Sequence, residues 1–202
     1  MSNTNDGFHW KAFAHVDKYS PDQVAYAHLR LGHEPTGAEL AALFAYGPED
    51  GVAEAAGNIL VSTGISNLTN LFIAGGGDGF SNAKGIVGVG ATSTAAAIGD
   101  TALGANGGSA WYQGLDATYP TRSTTTATND TVTAVATFAS GNANFAWAEW
   151  CWAVTSTGTI TGNATLNSVS SGTETMLNHK IASLGTKASG SSWVFTTTVT
   201  FS

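Results

Sequence analysis

The sequence predicts a mainly β protein: an antiparallel β-sandwich or jelly-roll-like domain with a short helical N-terminal arm and one amphipathic helix. Three observations predict it. From about residue 86 the apolar pattern runs at period two, which sends alternate side chains to opposite faces of a strand. Turn clusters punctuate the same region at short spacing, at Ser140-Gly141-Asn142, Thr157-Gly158, Ser171-Gly172 and Ser189-Gly190. Charge is concentrated at the other end, because residues 1–54 hold eight of the 14 acids, three of the seven Lys+Arg and four of the five His.

In the polar head segment, Ser20-Pro21-Asp22-Gln23 supplies a capping hydroxyl, a proline at the first helical position, a first-turn acid and the Gln of a capping box. Val24, Ala27, His28 and Leu31 then share one face before Gly32 and Pro35 close the segment. A second box, Thr36-Gly37-Ala38-Glu39, opens a helix that presents Leu40, Leu43 and Phe44 and stops at Tyr46-Gly47-Pro48. Helices this short do not persist alone in water, so each docks on something. Residues 1–57 are therefore expected to be an arm that finds its partner outside the β body, with Val24, Leu31, Leu40, Leu43 and Phe44 as interface candidates. Residues 58–202 form the β-rich domain.

That domain opens on a helix over about 59–73, where Val61, Ile65, Leu68 and Phe72 make one stripe, ended by the glycine loop Gly75–Gly79. Strands follow at Thr131–Phe138, Asn144–Val154, Met176–Leu184 and Trp193–Phe201, with further ones at Trp111–Thr118 and Gly158–Leu166. Thr121–Thr131, with six threonines, reads as a long exposed loop. The run Phe145 to Val154 is apolar on both faces and holds Trp147, Trp150 and Trp152, which makes these tryptophans candidates for an interface with a second copy or a neighbouring subunit.

Composition excludes several classes of function. The chain has 202 residues, 10% of them charged, 43% hydrophobic and 25 glycine, with a net charge of −7. No basic run is present to neutralise phosphates or an anionic lipid leaflet, so neither nucleic acid nor membrane is an expected partner. The first thirty residues interleave Asp6, Lys11, Asp17, Lys18, Asp22 and Arg30 and show no apolar core of a secretory signal. A single cysteine, Cys151, excludes an internal disulfide and a cysteine-based zinc site. Without a signal, the acceptor patterns at Asn67, Asn129 and Asn163 are incidental.

Candidate chemistry is sparse. His9, His15, His28 and His33 lack the spacing that puts two imidazoles on one helical face, so packed or solvated histidines are expected and no metal. Cys151 and His179 could pair as nucleophile and base, but three tryptophans surround the cysteine and no turn exposes it, so a raised pKa and an inert thiol are expected. Glu149 falls on an apolar strand and needs a partner, which Lys180 or His179 could supply; a satisfied internal pair is the favoured reading over a catalytic acid. Gly75–Gly79 and Gly88-Val89-Gly90 fit no phosphate-loop or dinucleotide spacing. Asp78, Asp100 and Asp116 resemble no compact calcium cage. Trp111-Tyr112 and the three tryptophans could stack sugars, although core or interface is favoured. No catalytic residue, cofactor or metal is assigned.

Gly85-Ile86-Val87-Gly88-Val89-Gly90-Ala91-Thr92, continuing through Ala95-Ala96-Ala97-Ile98-Gly99-Asp100-Thr101-Ala102-Leu103-Gly104, resembles a stretch recurrent in tailed-bacteriophage virion proteins of the minor structural, fibre and decoration type. Thr131–Phe138 with Gly141–Trp147 resembles a strand pair of those proteins. Asn178–Lys187, leading to Trp193 and Thr196–Phe201, resembles their closing pair. The resemblance covers residues 58–202 and implies a non-enzymatic virion component. Its expected location is the virion, assembled in the host cytoplasm. Its expected partners are other virion proteins, major capsid or tail subunits, together with copies of itself, a trimer being favoured. A capsid decoration or head-associated role leads; a tail or fibre-tip protein that binds a host-surface carbohydrate or receptor is the alternative.

Overall fold

The computed structural model describes residues 9–104, 109–126, 129–156, 165–166 and 174–201. The elements begin with β1 (Trp10–Tyr19), α1 (Pro21–Leu31), α2 (Gly37–Leu43), β2 (Val52–Ala56), β3 (Ile59–Leu60) and α3 (Ser62–Phe72). The β body continues with β4 (Gly85–Gly90), β5 (Ala110–Gly114), β6 (Thr121–Thr126), β7 (Asn129–Phe138) and β8 (Ala146–Thr155). It closes with β9 (Thr165–Leu166), β10 (Glu174–Met176), β11 (Asn178–Thr186) and β12 (Ser192–Phe201).

Two antiparallel sheets result. One has the order β2-β1-β12-β7-β6; the other runs β3-β11-β8-β4-β5-β9, with β10 also paired to β8. They face each other across a core built from Ala12, Ala14 and Val16 of β1, Ala134, Ala136 and Phe138 of β7, Val87 and Val89 of β4, Trp147, Trp150 and Trp152 of β8, and Trp193, Phe195 and Val199 of β12. This is the mainly β sandwich that the period-two pattern predicts. The chain crosses between sheets at 139–145 and at 187–191, and the two crossings lie against each other: Lys187 N–H donates to Phe145 O at 3.1 Å and Gly190 N–H to Ser140 O at 3.1 Å.

Both capping boxes form. Ser20 accepts from Gln23 N–H while the Gln23 side chain accepts from Ser20 N–H, and Thr36 and Glu39 do the same for α2. The expected partner of these helices is corrected by the packing. Val24, Ala27 and Leu40 are buried on the outer face of the five-stranded sheet against Val135 and Val194, with Leu31, Leu43 and Phe44 beside them. Gly37 is wedged so tightly there that an added Cβ would meet Thr137 Oγ1 at 2.6 Å, and its N–H donates to the same oxygen at 3.0 Å.

The head segment is also not an appendage. Residues 10–19 form a strand between β2 and β12, in register from Trp10 opposite Phe201 to Tyr19 opposite Ser192. The threonine-rich stretch is not a loop either, since β6 and β7 pair as a hairpin, Thr121 opposite Thr133 and Thr124 opposite Asp130. β-branched threonines suit an edge strand. Most of the expected strand Gly158–Leu166, and the turns at Thr157-Gly158 and Ser171-Gly172, lie outside the described residues. Among the described residues no helix is long and apolar enough to cross a membrane.

The doubly apolar strand β8 is covered by its own chain. Trp150 and Trp152 face the inter-sheet core and are 0% and 2% exposed, while Cys151 and Ala153 face outward beneath Val61, Leu103 and Met176. Strict alternation would put Trp147 on the Cys151 face, but it joins the Trp150 core, near the register shift of β11 between Ile181 and Gly185. None of the three tryptophans is available to a neighbouring molecule.

Candidate functional site

Three segments distant in sequence meet on the outer face of the seven-stranded sheet. β8 delivers Glu149, which is fully buried, and β11 delivers His179, which is 3% exposed. The loop after β4 delivers Asp100. His179 Nε2 lies 2.9 Å from Glu149 Oε2 and its Nδ1 lies 2.6 Å from Asp100 Oδ2, so the imidazole bridges two carboxylates. Glu149 Oε2 also accepts from Gly104 N–H at 2.9 Å, and Asp100 Oδ2 from Ala97 N–H at 2.8 Å. The loop 91–104 is thereby fastened to the sheet at two points.

The electrostatics follow from this geometry. Burial pulls the His179 pKa down, but hydrogen bonds and charge from Glu149 and Asp100 outweigh it, and the net shift is upward from 6.5. Burial raises the Asp100 carboxyl, yet the Ala97 amide and His179 prevail and hold it below its usual value. Burial, together with the charges of Glu149 and Glu174, pushes the Cys151 thiol well up, which makes it a small hydrophobe. Beside the cluster, Tyr112 donates its hydroxyl proton to Glu174 Oε1 at 3.0 Å and accepts from Leu103 N–H at 3.4 Å.

A ring with a carboxylate at each nitrogen acts as a cationic bridge. Both of its proton positions are committed, so it is poorly placed to take a proton from a substrate. Glu149 has the internal partner that a buried carboxylate on this strand demands, and of the two options read from the sequence it takes His179. In the sequence Asp100 is only a loop acid, because the contact that gives it a role spans 79 residues.

The glycines of the resembling stretch have a packing reason. A Cβ on Gly88 would stand 2.7 Å from Tyr112 and 2.8 Å from Cys151 Sγ, and one on Gly90 would run into the Glu149 carboxylate. The remaining candidates disperse. His15 bridges Glu54 and Asp17 at 3.1 Å each, His28 lies 3.8 Å from Glu34, and His33 lies 3.4 Å from Glu39. Asp78 pairs with Lys84, and Asp116 accepts from the Thr137 hydroxyl and amide. Among the described residues no group of three or more His, Cys, Asp or Glu could hold a metal ion.

One open pocket of about 550 Å3 lies beside α2, lined among others by Asp17, Thr36, Asp116, Tyr119, Val194 and Thr196. Thr118 on its rim holds a φ of 76°, a left-handed conformation that is uncommon for threonine. Comparison of the chain with protein-family models, curated proteins and solved structures finds no match. Fold and site together define a β-sandwich whose central polar cluster fastens one of its own loops.

Proposed function

We propose that the protein is a structural component of a tailed-bacteriophage virion, a capsid decoration or head-associated protein that docks on neighbouring subunits. The supporting observation is where the phage-like motif residues go. Gly90 and the pair Asp100 and Gly104 come from the first resembling stretch and His179 from the closing one; Gly90, Gly104 and His179 meet the buried Glu149, and Asp100 joins through His179. Residues that carry the resemblance thus serve architecture, as a shell building block requires. Its contacts, including any trimer, would use apolar groups left exposed, such as Phe72 (84%) and Ile73 (71%) at the end of α3 and Leu29 (83%) on α1. Low charge makes such contacts insensitive to salt.

The pocket beside α2 supports the second reading, a tail or fibre-tip protein that binds a host-surface carbohydrate. Its carboxylates and threonine hydroxyls can bond sugar hydroxyls, and Tyr119 offers a face for stacking. Quantitative mass spectrometry of gradient-purified particles from the native source separates the readings. A fixed copy number tied to the shell protein supports decoration, a few copies that purify with isolated tails support the tail reading, and absence from particles refutes both.

A further inference from the structure

Helix α3 docks with its apolar side chains outward. A surface helix ordinarily buries its apolar stripe and gives its polar face to water. Here Gly64 and Asn67 are buried, with Leu68 beside them, while Ile65 and Phe72, seven residues apart and so on one face, are exposed. Ile73, just past the helix, is exposed as well, and so is Ile98, whose carbonyl accepts from Ser62 N–H at 2.8 Å at the start of α3.

The orientation is fixed from the sheet side. Thr63 Oγ1 donates to Met176 O at 3.4 Å, Asn67 Nδ2 donates to Asp78 O at 2.9 Å, and Asp78 N–H donates back to Asn67 Oδ1 at 3.2 Å. Gly64 presses on the Leu177 backbone, where an added Cβ would meet Leu177 O at 2.6 Å. Rotating the helix to bury Ile65 and Phe72 would break these bonds and bring a side chain to a place that holds only glycine. The outward apolar face is therefore built into the fold.

The same region carries no charge. Residues 55–77 and 85–99 contain no Asp, Glu, Lys, Arg or His. The charged groups that flank these stretches are each paired: Glu54 with His15, Asp78 with Lys84, and Asp100 with His179.

We propose that α3 is a self-association surface: two copies of the chain pack α3 against α3 about a two-fold axis and bury Ile65, Phe72 and Ile73 of both. In a two-fold contact the same patch is used by both copies, so it must be complementary to itself. Like charges would repel across such an axis, and this face has none. Ser66, Thr69 and Asn70 flank the apolar side chains, and their hydroxyls and amide both donate and accept, so identical groups can pair across the axis. Elsewhere a chain of net charge −7 repels its copy. A lipid surface fits less well, because the helix offers no Lys or Arg to anionic headgroups. The inference goes beyond the virion reading and does not rest on it, since the chain associates with no particle present.

The test is sedimentation velocity of the purified full chain across the micromolar range. The expected species has twice the 20.5 kDa mass of the chain. Phe72→Asp and Ile65→Asp, both at exposed positions, should keep native circular dichroism and raise the dimer dissociation constant on the order of a hundredfold. Thr69→Cys should link two copies through a disulfide under mild oxidation, whereas Leu29→Cys, exposed on α1, should not; the native Cys151 is buried and does not compete. A wild-type chain that stays monomeric would overturn the proposal, whether or not it binds phosphatidylcholine vesicles or virion particles. A trimer, or a dimer that both aspartate variants leave intact, would overturn it too.

Discussion

At the scale of single residues, the chemistry here is mostly that of burying polar groups safely. His179 and Glu149 would each be costly alone in the outer layer of the sheet, and together with Asp100 they satisfy one another. Replacing His179 by Ala leaves Glu149 without its charge partner and should cost about 3 to 5 kcal/mol, read by urea unfolding. The effect should depend on pH. The folded pKa of His179 is raised above 6.5, so its stabilisation is complete below 6.5 and is lost as pH rises through the raised value. Asp100 is lowered from 3.8, so its share is present above 3.8 and is lost as pH falls through the lowered value. The Tm difference between wild type and His179→Ala should therefore be largest between these limits and shrink toward alkaline pH. His15, also raised by its carboxylates against its burial, titrates in both proteins and cancels in the difference.

At the scale of elements, legibility followed how local each signal was. Two capping boxes and their apolar stripes lie within a dozen residues, and α1 and α2 form as read, because a helix end is satisfied by its own neighbours. β1 is hard to read in the sequence because its inward positions are small, Ala12, Ala14 and Val16, while Lys11, His15 and Asp17 on the outer face, and Lys18 over Trp193, give the segment the composition of a polar arm. Its identity as a strand comes from β12, about 180 residues away in sequence, and no local window contains that partner. The same holds for the cluster: Glu149 announced its need for a partner, whereas Asp100 could be assigned only once the fold was closed. α3 shows a third case. Gly64 weakens the helix by propensity, yet a Cβ there would lie 2.6 Å from Leu177 Cα, so close approach to that backbone requires glycine.

Two predictions belong to this scale. Deleting residues 1–54 removes β1 and most of β2 and exposes the edge of β12, so the truncated chain should lose its native circular dichroism and aggregate; a soluble, folded remainder would contradict the sheet order. Leu40→Ala, at a fully buried position under α2, should cost about 2 to 5 kcal/mol. Leu29→Ala, at a side chain 83% exposed on α1, should stay within about 0.5 kcal/mol. Equal effects in chemical denaturation would mean that the helices do not dock on the sheet as described.

At the scale of the whole molecule, the protein is a sandwich whose first and last described strands, β1 and β12, are neighbours in one sheet, and Trp147, Trp150, Trp152 and Trp193 are buried in its own interior. Any contact surface for the proposed virion role would therefore come from other groups. Four large apolar side chains, Ile65, Leu71, Phe72 and Ile73, remain exposed along and just past α3, in a region free of charge from Ala55 to Gly77. In a chain of net charge −7, an uncharged patch is where copies or neighbouring subunits of the proposed assembly would meet with least repulsion. The most direct measurement of the central claim is cosedimentation of the purified, folded chain with particles from a strain that lacks its gene. The account predicts saturable binding at a fixed number of copies per particle, weakened by Phe72→Asp at an exposed site where folding is spared. A folded wild-type chain that shows no saturable binding to such particles would contradict it.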